Sequence, residues 1–330
     1  MCSQCEKAAV YVLQNGKKLC KRCFTRYYEK KVFETIRKFG LINKDDKIAI
    51  ACSGGKDSTS LLYLINKFTS ERNMTKPEAL AIDEGIHGYR NKTLEELKEF
   101  CSKFDINLHI FSFKEEFGFS LQEALVKASR KKLGINSCYI CGIFRKYLIN
   151  KKARELGFTK LATGHNLDDE AQTILINQIK GNVALSAKLG PRTGLIEGNG
   201  KNGNGFVQRV KPLYMCTEKE NMIYSVVNGI APGFVECPLQ QSYRFEVRDW
   251  LNNFEAKHPG AKRAIVNSFL ELLPLLKERY KNEFLNGFEN EKGNVKRKTI
   301  ASIACKKCGE PSNREICKAC ELVKKLTESH

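Results

Sequence analysis

Apolar and polar residues change period several times along the chain, and each change marks an element. Residues 47–52 (KIAIAC) form a short β-branched apolar run, followed at once by a glycine turn and then by Leu61, Leu62, Leu64 and Ile65, which reads as strand, turn and helix. Further strands are expected over 78–83, 107–113, 160–163 and 206–211, and helices over 92–104, 121–133, 142–156 and 168–179. This alternation predicts an α/β fold, a doubly wound and mostly parallel sheet with helices on both faces. Ligands in that architecture bind at the carboxyl ends of the strands. Residues 190–205 (GPRTGLIEGNGKNGNG) have no period and predict a surface loop. Three- and four-residue apolar spacing over 242–285 predicts a small helical unit, and 289–299 (ENEKGNVKRKT) reads as a charged linker.

Cysteine placement adds the two ends. Cys2, Cys5, Cys20 and Cys23 form one C-x-x-C…C-x-x-C set and Cys305, Cys308, Cys317 and Cys320 another, each able to bring four thiolates tetrahedrally around zinc. A closed four-cysteine site keeps no open coordination position, so both are expected to be structural or RNA-docking knuckles. The boundaries that follow are a knuckle at 1–30, a catalytic α/β domain at 31–241, a helical extension and linker at 242–298, and a second knuckle at 299–330. The N-terminus lacks the basic stretch and apolar core of a secretory signal, and no run approaches a membrane span. The expectation is a soluble, cytoplasmic protein without a membrane partner, whose 14 cysteines serve metal and not disulfides. Lys and Arg number 56 against 37 Asp and Glu, a formal charge of +19 that points to a polyanion, nucleic acid first.

The turn after the first core strand is Ser53-Gly54-Gly55-Lys56-Asp57-Ser58. It lacks the four-residue spacer of a Walker loop, yet its glycines let backbone amides face an anion, the following helix offers its positive end, and Lys56 adds charge. The segment resembles the signature of the PP-loop ATP pyrophosphatases, which implies cleavage of ATP between the α and β phosphates and adenylation of a substrate. A second segment, Thr163-Gly164-His165-Asn166-Leu167-Asp168-Asp169-Glu170, follows a strand and opens a helix. Its carboxylates suit magnesium at a polyphosphate; the plainer alternative is a helix start, with Asp168 as cap and Asp169 and Glu170 as first-turn charges. The resemblance implies that Gly164 and His165 line the nucleotide site, and position makes Asp83 and Gly85 candidate adenosine contacts.

Three cysteines outside the knuckles stand out: Cys138 and Cys141 in Cys138-Tyr139-Ile140-Cys141-Gly142, and Cys237 in Glu236-Cys237-Pro238. Three thiolates suit an iron–sulfur cubane with one iron left open, which can hold hydrosulfide. The joint pattern of terminal knuckles, S-G-G-K-D-S, C-x-x-C-G followed by Arg145 and Lys146, G-H-N-L-D-D-E and a late E-C-P resembles the archaeal and eukaryotic tRNA 2-thiouridine synthetases over nearly the whole chain. The resemblance implies a 4Fe–4S cluster on Cys138, Cys141 and Cys237, ATP with Mg2+ at Ser53 to Ser58, two Zn2+ sites and a homodimer. It also implies catalytic help from Asp168 or Asp169 and from Arg145, near where family members often carry lysine. Some members have histidine among the N-terminal zinc ligands; here all four are cysteine. Cys52, Cys101 and Cys216 read as packing residues.

The resulting expectation is a tRNA sulfurtransferase. The loop and magnesium orient ATP, the uridine 2-oxygen attacks the α-phosphorus, and sulfide displaces adenylate, with the target base unstacked from its tRNA. The wobble uridine is the expected target and the ribothymidine-loop uridine the alternative, with free sulfide or a ubiquitin-like thiocarboxylate carrier as sulfur source. Rival readings are a cluster-free persulfide on Cys138 or Cys237, an ammonia-using ligase of the same superfamily, and a zinc-ribbon RNA-binding module without catalysis.

Overall fold

The computed structural model of the chain describes residues 1–194, 205–230, 237–239, 243–286, 288–289, 295–296, 303–312 and 314–328. A hairpin of β1 (Ala9–Val12) and β2 (Lys18–Cys20) leads straight into α1 (Lys21–Lys38). The core follows as β3 (Ile48–Cys52), α2 (Lys56–Ser70), β4 (Glu78–Asp83), α3 (Arg90–Lys103), β5 (Leu108–Ser112), α4 (Phe113–Phe117), α5 (Leu121–Arg130), α6 (Ser137–Glu155), β6 (Lys160–Thr163), α7 (Leu167–Ile179), α8 (Val183–Ser186), β7 (Arg192–Thr193), β8 (Gln208–Val210) and α9 (Glu218–Val227). Then come α10 (Arg244–Lys257), α11 (Ala261–Asn286), a short pair β9 (Phe288–Glu289) and β10 (Val295–Lys296), and the final knuckle of β11 (Ile303–Ala304), β12 (Pro311–Ser312) and α12 (Lys318–Thr327).

Six strands form one sheet in the order β5-β4-β3-β6-β8-β7, parallel except for the edge strand β7. The chain runs outward from β3 through β4 to β5, then returns to place β6 on the other side of β3, so the order reverses between β3 and β6. That switch point opens a crevice where the two strands end. Alternation along the strands separates two cores: Ile48, Ile50, Ala79, Ala81 and Ala162 pack with α1, α2 and α3, while Ala49, Leu80, Ile82 and Leu161 pack with α5, α6 and α12. A third cluster joins Leu167, Ala171 and Ile174 of α7 to Leu251 of α10 and Val266, Phe269 and Leu273 of α11.

Local chemistry sets the helix starts. Ser120 with Glu123, Asn166 with Asp169, and Thr217 with Glu220 make reciprocal capping boxes for α5, α7 and α9. The cap of α7 is therefore Asn166, two residues before the Asp168 expected there. Helix α6 also starts earlier than its apolar pattern suggested: the Asn136 side chain accepts from the Tyr139 amide at 2.9 Å, so the C-x-x-C lies inside the first two turns. The expected loop at 190–205 contains strand β7, and residues 195–204 lie outside the described set, as does most of the expected linker. The helical unit is the pair α10 and α11. Among the described residues no helix is long and apolar enough to cross a membrane.

Candidate active site

At the end of β3 the loop turns through Gly54, whose φ is +83° and whose hypothetical Cβ would lie 2.8 Å from the Thr93 carbonyl oxygen. Glycine is required there on both counts. The loop is tied to itself: the Ser53 amide donates to Ser58 Oγ (3.2 Å) and the Gly55 amide to Ser53 Oγ (3.3 Å), and Gly55 is the N-cap of α2. Lys56 pairs with Glu218 (2.8 Å) and Asp57 (3.2 Å), and Asp57 accepts from the Asn221 side-chain amide. Burial pushes the Asp57 carboxyl up, with Lys56 pulling the other way. Helix α9, which no motif announces, thus supports the loop.

Gly164, at the end of β6, touches the same loop. A Cβ there would stand 3.0 Å from the Asp57 carbonyl carbon and the Ser58 nitrogen, so its smallness serves packing of the two motifs against each other. His165 opens onto the crevice, and Nδ1 lies 2.9 Å from Thr163 Oγ1. Crowding by surrounding protein holds its pKa down, to about 4, helped by Lys211, Arg244 and Lys146 and opposed by Asp169. The neutral ring is the form present at pH 7. The acids of α7 are each paired: Asp168 with Lys262 and the Glu218 amide (2.8 Å), Asp169 with Arg244 (3.0 Å), Glu170 with Lys211 (2.8 Å). Asp168 and Glu170 are buried, whereas the side chains of Asp57 and Asp169 keep 27% and 32% exposure. Asp83 Oδ1 accepts from the Gly85 amide at 2.8 Å, and Gly85 packs against Ser120, which a Cβ would approach to 2.6 Å. The close approach at Gly85 is by the chain itself.

The lone cysteines are neighbours around the start of α6. Cys138 and Cys141 lie on consecutive turns of α6, and the Ser137 hydroxyl donates to the Leu239 carbonyl, pinning the segment that carries Cys237 to the same helix end. Arg145 donates to Cys141 Sγ at 3.4 Å. Burial pushes the Cys141 thiol up, against Arg145, while Glu84 and Cys237 add to the rise; burial also raises Cys237, with Glu84 and Cys138 adding. The three thiols therefore share one electrostatic environment. Buried Glu84 sits beside it, 3.6 Å from Arg145 and 3.0 Å from Arg90, and Arg90 in turn donates to the Ser53 carbonyl. Nearby, Arg209 donates to the Lys146 carbonyl (3.3 Å), and Lys146 is pushed down by burial and by Arg209, Lys318, Arg145 and Arg244 around it.

Among the described residues, two groups of cysteines keep all their sulfurs within 4.8 Å, the two terminal sets; Cys138, Cys141 and Cys237 stand wider. Cys5 is 3.4 Å from Cys20 and 3.8 Å from Cys23, and Cys308 is 3.8 Å from Cys317. Zn–S bonds of about 2.3 Å in a tetrahedron need sulfurs about 3.8 Å apart, so both sets fit one ion each. Cys20 and Cys317 are N-caps of α1 and α12; the Cys23 amide pulls the Cys20 thiol down, whereas burial holds Cys317 up, to about 11, against the Cys320 amide. Desolvation of Cys305 is overcome by amides of Cys317, Cys308 and Lys307, which bring its pKa down to about 6.

Sequence reasoning missed Glu84, Arg90, Glu218, Asn221, Arg244 and Lys262. Glu84 directly follows the motif residue Asp83; the partners Arg244 and Lys262 lie 75 and 94 residues from their acids, so no local pattern could find them.

A PP-loop domain signature matches residues 25–254. A probable sulfurtransferase of Methanocaldococcus jannaschii is 33% identical over 99% of this chain and 88% of its own. A tRNA-5-methyluridine(54) 2-sulfurtransferase of Pyrococcus horikoshii is 35% identical over 97% of this chain and 93% of its own. Among solved structures, the U34-tRNA thiolase NcsA from Methanococcus maripaludis with its 4Fe–4S cluster is 30% identical, matches 100% of this chain and 97% of its own, and has a TM-score of 0.75.

Proposed function

Because the chain belongs to the PP-loop family of tRNA 2-thiolation proteins, we propose that it uses ATP to activate the 2-oxygen of the tRNA wobble uridine and exchanges that oxygen for sulfur in the cytoplasm. The observation that supports this reading is proximity: Arg90 holds the phosphate loop after β3, Arg145 touches Cys141 of α6, and both arginines pair with Glu84, while the 237–239 segment is tied to the start of α6. The residues fit the groups the family implies. Cys141 and Cys237 feel each other's charge, Cys237 also feels Cys138, and the Leu239 carbonyl ties the 237–239 segment to the start of α6, which is the neighbourhood that shared ligation of a cluster needs. When bound, a three-cysteine cluster supplies an open iron for a sulfur donor.

This chain's own residues do the rest. Gly54, Gly55 and the first amides of α2 offer donors to the triphosphate, and Ser53, Ser58 and Lys56 complete the cradle. Asp57 and Asp169, whose side chains stay partly open beside Lys56 and Arg244, would hold magnesium by exchanging those cations for it; Asp168 and Glu170 are buried on Lys262 and Lys211. Neutral His165 exchanges a hydrogen bond without adding charge beside the phosphates. Arg145 keeps a positive group on the Cys141 sulfur, and Lys146, Arg209 and Lys318 attract the tRNA backbone. Sulfide, free or carried as a thiocarboxylate, is the co-substrate, and a homodimer is expected, which light scattering reads.

The test is anaerobic: iron-loaded protein, Mg·ATP, sulfide and tRNA, followed by pyrophosphate assay and position-resolved mass spectrometry. The proposal requires pyrophosphate release and 2-thiouridine at position 34. Thiolation at position 54 moves the target. Full activity in iron-free protein removes the cluster from the reaction, leaving sulfide to attack the adenylated carbon directly, and tRNA binding without pyrophosphate release leaves only an RNA-binding module.

A further inference from the structure

Glu84 belongs to no motif, yet its carboxylate is bonded toward both halves of the site. It is 5% exposed at the end of β4. One oxygen, Oε2, lies 3.0 Å from Arg90 Nε, and the other, Oε1, lies 3.6 Å from Arg145 Nε. Arg90, 2% exposed, also donates to the Ile82 carbonyl at 2.8 Å and to the Ser53 carbonyl, so it fixes where the phosphate loop leaves β3. Arg145 donates from Nη2 to Cys141 Sγ at 3.4 Å. The chain of contacts runs loop, Arg90, Glu84, Arg145, thiol, without a gap. A buried carboxylate between two guanidiniums is held only while both stay in place, since an unpaired charge there has no solvent to retreat to.

We propose that Glu84 is a positioning residue that couples the phosphate loop to the three-cysteine pocket, so that a displacement at either end moves the other. The inference rests on the assignment of those two sites given above. It adds a path by which nucleotide binding reaches the sulfur centre, through a rigid element both ends share. Its members are separated by 37 residues between Ser53 and Arg90 and by four between Cys141 and Arg145, so the fold and not the local sequence creates it.

The test uses Glu84→Gln in the full chain, which keeps the volume and removes the charge. In protein reconstituted anaerobically with iron and sulfide, the expected result is a Kd for Mg·ATP raised about tenfold through loss of the buried Glu84–Arg90 ion pair, together with an altered EPR spectrum of the reduced cluster. A folded E84Q protein in which either readout equals wild type overturns the proposal. If E84Q does not fold, Arg90→Lys replaces it: Arg90 has no bond to a cysteine, so a changed cluster spectrum in R90K supports the coupling and an unchanged one overturns it. If the chain takes up no iron, the function proposed above fails separately. Coupling is then read on iron-free protein as the iodoacetamide alkylation rate of Cys141 in R90K, a change made at the loop end of the path, where a change of about threefold supports it and an equal rate overturns it.

Discussion

Two residues of the crevice have costs that follow directly from their surroundings. Gly164 admits the phosphate-loop backbone, so Gly164→Ala forces that packing apart. Overpacking of this kind costs about 1–3 kcal/mol, and the expected outcome is a lower denaturation midpoint together with weaker Mg·ATP binding by calorimetry. Lys262 neutralises buried Asp168. Lys262→Met should cost about 3–5 kcal/mol in urea titration, as for any buried ion stripped of its partner, and adding Asp168→Asn should restore most of it. His165 governs a pH dependence. Its folded pKa, about 4, lies below the 6.5 of a free histidine, so between these values the unfolded chain binds the proton that the folded chain refuses. The ring is solvent-exposed, so only part of that shift reaches stability; that part is complete above about pH 6.5 and is lost as pH falls toward 4. His165→Asn should lose less melting temperature than wild type between pH 7 and pH 5.

At the level of elements, α6 is the one whose placement matters most. Asn136→Ala removes its cap, and the expected cost is about 1 kcal/mol by thermal denaturation, with the Cys138 turn the first part to loosen. The same helix marks the limit of reading by periodicity. Its interior at 142–156 was legible because apolar residues recur there, but its start depends on one amide–side-chain bond that leaves no apolar trace. The five strands expected from short apolar runs are five of the six in the sheet, and the strand-to-helix turns at Ser53 and Thr163 were legible because glycine and capping residues have local causes. Helices α1 and α9 and edge strand β7 were not. The first two are held by partners far away, Lys31 with Glu220 and Tyr28 with Asn221, and β7 is two residues long. Cys138, Cys141 and Cys237 could be singled out from spacing alone, while the Glu84 bridge and the cations on α7's acids exist only once the chain is folded.

For the molecule as a whole, a charge of +19 acts through where it gathers. Lys146 of α6, Arg209 of β8 and Lys318 of α12 face the same region, so Lys146→Ala with Lys318→Ala should weaken tRNA binding and flatten its salt dependence. The slope of log K against log salt is expected to fall by roughly 0.9 for each duplex-stem phosphate that no longer has a cationic partner, and somewhat less on single strands; filter binding over a salt series measures it. The final knuckle is part of this body. Cys305, Cys317, Leu322 and Leu326 pack in the same core as Ile140 and Phe144 of α6, and Arg154 pairs with buried Glu310. Helix α6 therefore leaves the ribosome long before the segment that covers its outer face. Until residues 305–326 arrive, that flank of the helix is bare and apolar, so a chain truncated before them is expected to expose it, which binding of an environment-sensitive dye reads.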